Sequence, residues 1–197
     1  MDNGIYVYNP TNSSGQDAII TLRVAGSSAG DPYLAFDIAG WASWACGVDT
    51  SDSHKFKWSS DWGDVGSNTK MTLDRYSGNL GIGTTSPSYK LHVVGDIYAT
   101  GNVTAYSDVR NKKNLKTIED PVSKIEKING YTYEKDGIAY TGLVAQELLE
   151  VLPEAVSGSE ELGYGIAYGN MAGIFVEAIK ELNSKIKALE NKLSQFV

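Results

Sequence analysis

All 11 glutamates of this 197-residue chain follow residue 106, and all four tryptophans, Trp41, Trp44, Trp58 and Trp62, precede it. No single fold class suits both compositions. Residues 1–106 hold ten Asp, no Glu and six Lys or Arg, whereas residues 107–197 hold 14 acids and 11 bases. Glu and Lys favour helices while Asp, Asn, Gly and Ser favour turns, so the first half reads as strands and turns and the second as helix-containing.

Short β-type runs punctuate the first half: Ile5 to Tyr8, Ala18 to Val24, Tyr33 to Ile38, Phe56 to Trp58, Met71 to Leu73 and Leu91 to Val94. Turn clusters such as Asp31-Pro32 and Ser77-Gly78-Asn79 separate them. The spacing predicts an all-β fibre or sandwich module over residues 1–90, followed by a β linker over 91–106. From Asn79 to Ala105 the side chains are mostly small, polar or β-branched. Such a segment buries little by itself and calls for other chains around it.

The second half, 107–197, reads as an α+β domain. Asp120-Pro121 marks a helix start, an N-cap Asp before Pro, with Val122, Ile125 and Ile128 on one face. Asn129-Gly130 ends that helix; Tyr131 and Tyr133 alternate as in a strand, Asp136-Gly137 signals a hairpin and Ile138 to Val144 returns. A short helix from Gln146 to Leu152 stops at Pro153. A long helix over about 171–197 carries Phe175, Ile179, Leu182, Ile186, Leu189, Leu193 and Phe196 at alternating spacings of four and three. That is a coiled-coil seam, with Ile179, Ile186 and Leu193 at a, and Lys185 and Glu190 placed to pair between parallel chains. The plainer alternative is an amphipathic helix packed on its own domain. Ile at a with Leu at d favours two strands on composition alone.

Several function classes are excluded. A net charge of −7 and a pI near 4.8 argue against general nucleic-acid binding. No apolar run reaches the roughly 18 residues of a membrane span, so no membrane insertion is expected, and Met1 to Pro10 lacks the pattern of a secretory leader. Cys46 is the only cysteine, and His54 and His92 are the only histidines. No disulfide can therefore form within the chain, no Cys-based metal cluster is available, and a histidine triad or His-rich metal site has thin support. Asp49 and Asp52 suit turn capping better than calcium. Gly81-Ile82-Gly83 lacks the third glycine of a dinucleotide loop. No metal and no cofactor is expected.

The compositional boundary itself reads Ala105-Tyr106-Ser107-Asp108-Val109-Arg110-Asn111-Lys112-Lys113. A serine hydroxyl becomes a nucleophile when a base takes its proton, and a neutral lysine amine can serve. Lys113 and Arg110 flank Lys112, and neighbouring like charges disfavour the ammonium form of a lysine. A spacing of five does not place Ser107 and Lys112 on one helix face, so they must meet across a turn or between subunits. A solvated basic turn is the commoner meaning of such a loop.

Four ordered motifs carry a resemblance over about residues 105–193: Ser107-Asp108-Val109-Arg110-Asn111-Lys112, Asp120-Pro121, Gly142-Leu143-Val144-Ala145-Gln146-Glu147 with Leu152-Pro153-Glu154, and Glu177-Ala178-Ile179-Lys180-Glu181-Leu182. The region resembles the C-terminal intramolecular chaperone domain of phage endosialidases, tail fibres and tailspikes. The resemblance implies a homotrimer that helps a β-rich fibre to fold and then cuts itself free. It implies Ser107 as nucleophile, Lys112 as its base, Asp108 and Arg110 in support, and Tyr106-Ser107 as the cut bond. Asn111 departs from the apolar residue usual there, implying a slower cut. Upstream, Gly47 to Asp52 and Ser77 to Val93 look like phage tail-fibre modules.

The expected protein is a distal tail-fibre component of a virion, its partners being its own copies, other phage tail proteins and a host cell-surface receptor, possibly a glycan. A runner-up retains the chaperone domain uncleaved as a permanent tip. A glycan-cleaving enzyme is weaker, because residues 1–106 offer no convincing paired carboxylates. The tryptophans and Tyr33 suit either a core or a sugar-stacking surface.

Overall fold

The computed structural model describes residues 5–11, 14 and 17–196 and divides into two units, Met1–Thr104 and Ala105–Val197. Met1 to Gly4, where a leader would start, and Val197, at the end of the expected long helix, lie outside the described residues.

In the first unit, β1 (Tyr33–Ile38), β2 (Ala42–Asp49), β3 (Lys55–Ser59), β4 (Thr69–Leu73), β5 (Leu80–Ile82) and β6 (Leu91–Val93) form one sheet in chain order. All neighbours are antiparallel except β5 and β6, which run parallel. The β character matches the expectation, but a sandwich does not form within the unit: its described residues hold this one sheet and no second. Ile5 to Tyr8 and Ala18 to Val24 are not strands. Their β-type side chains have no ladder partner among the described residues, and Ile5, Tyr6, Ile19 and Ile20 stand exposed. Conversely, β2 and β5 escape the sequence pattern because glycine, cysteine and aspartate interrupt it.

Register decides what each face of the sheet carries. One row crosses all six strands as Tyr33, Gly47, Lys57, Thr72, Gly81 and His92. Side chains alternate along a strand, so the adjacent row points the other way. The Tyr33 row is small and polar, and the chain covers it: Gly47, Lys57, Thr72 and Gly81 are all buried. The loop between β3 and β4 lays fully buried Val65 over this side, where its carbonyl accepts the Ser59 hydroxyl. The connection from β5 to β6 passes so close that a Cβ on Gly81 would lie 2.5 Å from the Thr84 carbonyl oxygen. Only glycine fits there, which gives the Gly81-Ile82-Gly83 motif a packing reason.

At the centre of the covered side, Lys57 Nζ lies 2.7 Å from Asp49 Oδ2 and 2.7 Å from Asp52 Oδ2. Asp49 Oδ1 accepts from the Ser51 hydroxyl at 2.7 Å and from the Ser51 and Asp52 N–H groups. Burial pushes the Asp49 carboxyl up, but the Lys57 ammonium, the Ser51 hydroxyl and the Asp52 N–H outweigh it and hold the group at about 2. Burial likewise opposes the Lys57 charge, and its two carboxylate partners override that and raise its pKa.

The second unit contains α1 (Pro121–Ile125), β7 (Gly130–Lys135), β8 (Ile138–Leu143), α2 (Ala145–Val151), β9 (Val156–Ser159), β10 (Gly163–Ile166) and α3 (Ala172–Leu193). The β7–β8 hairpin turns where expected: Asp136 and Gly137 both take positive φ, 53° and 78°, as a tight hairpin requires. The expected N-cap at Asp120 fails. That residue is left-handed, at φ 48°, and its side chain makes no capping bond. Glu181 Oε2 instead accepts the Val122 N–H at 3.4 Å, so α3 satisfies the free end of α1. Leu148, Val151, Leu152, Ala155, Met171 and Ile174 form the core, with Ile118, Ile125, Ile128 and Leu143 packed against it.

Two outcomes follow from the first unit's ion pair. Lys57→Ala strands the buried Asp49 carboxylate on the covered side and should cost about 3–5 kcal/mol in urea unfolding. Asp49 drops from its ordinary 3.8 to about 2, so its contribution of about 2 kcal/mol is complete above about pH 4 and disappears as pH falls through about 2. Urea midpoints taken from about pH 6 downward should stay level to about pH 4 and then fall.

Candidate functional site

Asp108 begins the site by capping a single 3-10 turn, Val109–Asn111, its Oδ1 accepting the Arg110 N–H at 2.8 Å. Lys112 closes the turn with an N–H to the Val109 carbonyl at 3.0 Å and then turns extended. This turn solves the spacing of five. Lys112 Nζ donates to Ser107 Oγ at 2.7 Å. One residue earlier on each side, Asn111 Nδ2 donates to Tyr106 Oη at 2.8 Å. Two successive side chains after the turn thus hold the two residues that flank the Tyr106–Ser107 bond.

Arg110 goes elsewhere. Its Nε lies 3.0 Å from both Asp108 carboxylate oxygens and its Nη2 lies 2.6 Å from Oδ2. The Arg110 guanidinium holds the Asp108 carboxyl below its usual range, and Asp108 raises Arg110 in return. Asp108 therefore absorbs one of the two cations that the sequence places around Lys112. Ser107, Arg110, Asn111 and Lys112 are all exposed in the single chain.

α3 carries the second candidate feature. Met171, Ile174 and Ala178 face the domain core and are buried. The coiled-coil residues lie on a different stripe, and none is buried: Phe175 is 46% exposed, Ile179 67%, Leu182 47%, Ile186 53%, Leu189 59% and Leu193 67%. The plainer reading of the heptads, packing on the helix's own domain, therefore does not account for them. Phe196 stands beyond the last helical residue, Leu193, and Lys185 pairs along its own helix with Glu181 at 2.6 Å.

The sequence did not single out the role of Glu147. Its Oε2 accepts the Asn129 N–H at 2.9 Å and its Oε1 the Tyr131 hydroxyl at 2.6 Å, tying α2 to the start of β7. The Tyr131 hydroxyl and the Asn129 N–H lower the Glu147 pKa. Tyr168 Oη accepts the Leu143 N–H at 3.2 Å and secures the other end of the hairpin. These contacts give the Gly142 to Glu147 motif a positioning task. The aromatic residues of the first half do not converge: Trp44 and Trp58 share one face of the sheet, Tyr33 belongs to the other, and Trp41 and Trp62 stand on loops. Both carboxylates once weighed for calcium, Asp49 and Asp52, are occupied by Lys57.

Residues 107–157 match the family described as chaperone of endosialidase, and the matched region begins at Ser107 itself. The matched residues lie within the second unit. Similar proteins include the long tail fiber protein Gp37 of Enterobacteria phages K3 and T2, each 38% identical over 115 residues, or 50% of this chain and 9% of the relative. Gp37 of Salmonella phage S16 is 38% identical over 117 residues, covering 49% of this chain and 16% of the relative. The chain thus spans a small fraction of the length of the curated relatives it matches. Together the matches support a phage tail-fibre protein with a C-terminal chaperone domain.

Because the chaperone domain's turn at Ser107 to Lys112 makes no contribution to the core, Ser107→Ala and Lys112→Ala should each leave unfolding within about 0.5 kcal/mol of the parent. Leu148→Ala, in the fully buried core, should cost about 2–5 kcal/mol in the same urea titration.

Proposed function

We propose that this chain is the distal part of a phage tail fibre serving host attachment, and that its chaperone domain assembles three copies, promotes folding of the β-rich half and then releases itself by cutting the Tyr106–Ser107 bond. Self-association is supported by the open heptad stripe of α3. Self-release is supported by one observation above all, the 2.7 Å hydrogen bond from Lys112 Nζ to Ser107 Oγ at the first residue of the family match.

In this reading the neutral Lys112 amine takes the Ser107 hydroxyl proton as Oγ attacks the Tyr106 carbonyl carbon. The Tyr106–Ser107 C–N bond breaks and the proton passes to the departing Ser107 nitrogen, leaving an ester between Tyr106 and Ser107 Oγ. Water hydrolyses that ester, giving a Tyr106 carboxylate and a free Ser107 hydroxyl. With Arg110 engaged by Asp108, backbone N–H groups are the nearer candidates to stabilise the oxyanion. Both reacting groups lie on one turn, so proximity supplies much of the rate once that turn is held. Neighbouring copies would exclude water from a pair that the single chain leaves exposed, which couples the cut to assembly.

Purified protein incubated with time and analysed by denaturing gel and mass spectrometry should yield two fragments divided between Tyr106 and Ser107. Ser107→Ala and Lys112→Ala should each leave one full-length chain. Protein that is oligomeric yet still one covalent chain after days at pH 9 would remove self-release and leave the retained tip as the function of the domain. Truncation after Asn170 should abolish oligomerisation by light scattering; a truncated chain that stays oligomeric would remove the assembly role of α3.

A further inference from the structure

The turn that brings Lys112 to Ser107 also takes hold of the residue on the other side of the bond. Consecutive backbone hydrogen bonds fix its frame: the Asn111 N–H donates to the Asp108 carbonyl at 3.2 Å and the Lys112 N–H to the Val109 carbonyl at 3.0 Å. From that frame Lys112 Nζ reaches Ser107 Oγ at 2.7 Å and Asn111 Nδ2 reaches Tyr106 Oη at 2.8 Å. Tyr106 is 77% exposed, and the Asn111 amide is its one hydrogen-bond partner among the described residues.

The two contacts have separate tasks. Ser107 Oγ and the Tyr106 carbonyl carbon belong to neighbouring residues, so their approach is set by two rotations, about the Ser107 Cα–Cβ and N–Cα bonds. The Lys112 contact places Oγ and so governs the first. The second rotation swings the whole of Tyr106 about the turn, and Asn111 holds Tyr106 against that swing. Asparagine is a short side chain with few rotors, so this grip costs less side-chain entropy than the lysine contact beside it.

We propose that Asn111 is a positioning residue for the cut: its amide grips the Tyr106 hydroxyl, keeps the Tyr106 carbonyl within reach of Ser107 Oγ, and makes the turn selective for tyrosine over phenylalanine before the cut bond. This rests on the self-release proposed above and concerns its rate and its choice of residue. The bond made is from Ser107 Oγ to the Tyr106 carbonyl carbon, and the bond broken is from that carbon to the Ser107 nitrogen. The effect is opposite to the one implied by the resemblance, in which the polar residue at 111 slows the cut. An apolar side chain there would leave Tyr106 free to swing, and the geometry for attack would be reached less often.

The test uses the full chain, with light scattering for oligomeric state, and follows the fraction cut with time by denaturing gel and mass spectrometry. The parent is compared with Asn111→Leu, Tyr106→Phe and the double variant. A neutral hydrogen bond contributes modestly, so each single variant should cut about three- to tenfold more slowly than the parent. The double variant should cut no more slowly than either single one, because all three lack the same contact. A merely structural effect of Asn111→Leu would instead persist in the Tyr106→Phe background and multiply. Tyr106→Phe deletes one oxygen from an exposed side chain and leaves the backbone and ring in place, so its rate decides the matter even where Asn111→Leu assembles poorly. A parent that cuts while either single variant cuts as fast or faster overturns the role of Asn111 and leaves self-release standing. Slowing that multiplies in the double variant overturns that role as well. An oligomeric parent that never cuts overturns both.

Discussion

α3 presents two apolar stripes about 80° apart around its axis, and the chain itself covers only one. Met171, Ile174 and Ala178 complete the core of the second unit, and Glu181 on the same side satisfies the start of α1. The stripe from Phe175 to Leu193 is left in water. From Leu182 onward every described residue of the helix is exposed, so its last three turns gain nothing from tertiary packing. Isolated helices of that length are marginal in water. The helix thus takes support from its own domain over its first half and carries an uncovered apolar stripe over its second.

The two units solve opposite problems by related means. In the second unit the apolar core is internal and the uncovered apolar surface is a narrow stripe. In the first, the interior is an ion pair with small residues around it, and the broad apolar surface is outside. Lys57 with Asp49 and Asp52 fixes the register of β2 against β3 without consuming apolar side chains. Such a pair adds little net stability relative to a packed apolar cluster, but either partner alone would be costly to bury. The arrangement keeps the bulky residues of all six strands on the other face.

Local signals in the sequence translated well. Asp136-Gly137 needs nothing beyond its own backbone preference to turn a hairpin, and the long C-terminal helix needed only a helical period. Pro153 stopped α2 within a residue of the expected end. What failed depended on partners distant in sequence. Ile5 to Tyr8 and Ala18 to Val24 have the side chains of strands but no ladder to join. Asp120 lost its capping role to Glu181, 61 positions away, which no local motif announces. Lys57 and Asp49 meet through strand register rather than through a recognisable spacing. The Ser107 and Lys112 pair stood between these cases: the residues were legible, while the choice between a turn and a subunit boundary required the 3-10 geometry at Val109 to Asn111.

The order of the two units along the polypeptide has a consequence during synthesis. A ribosome adding about 5–20 residues per second completes β6 roughly 5–20 s before it reaches the end of α3. Through that interval the sheet exists without α3. Its covered side is already self-sufficient, closed by the Asp49 and Lys57 pair and by the loop bearing Val65, whereas Phe36, Trp44 and Trp58 stay in contact with solvent. An apolar face left in water at that stage is open to any other apolar surface, so the interval before the second unit is complete is the one most exposed to aggregation.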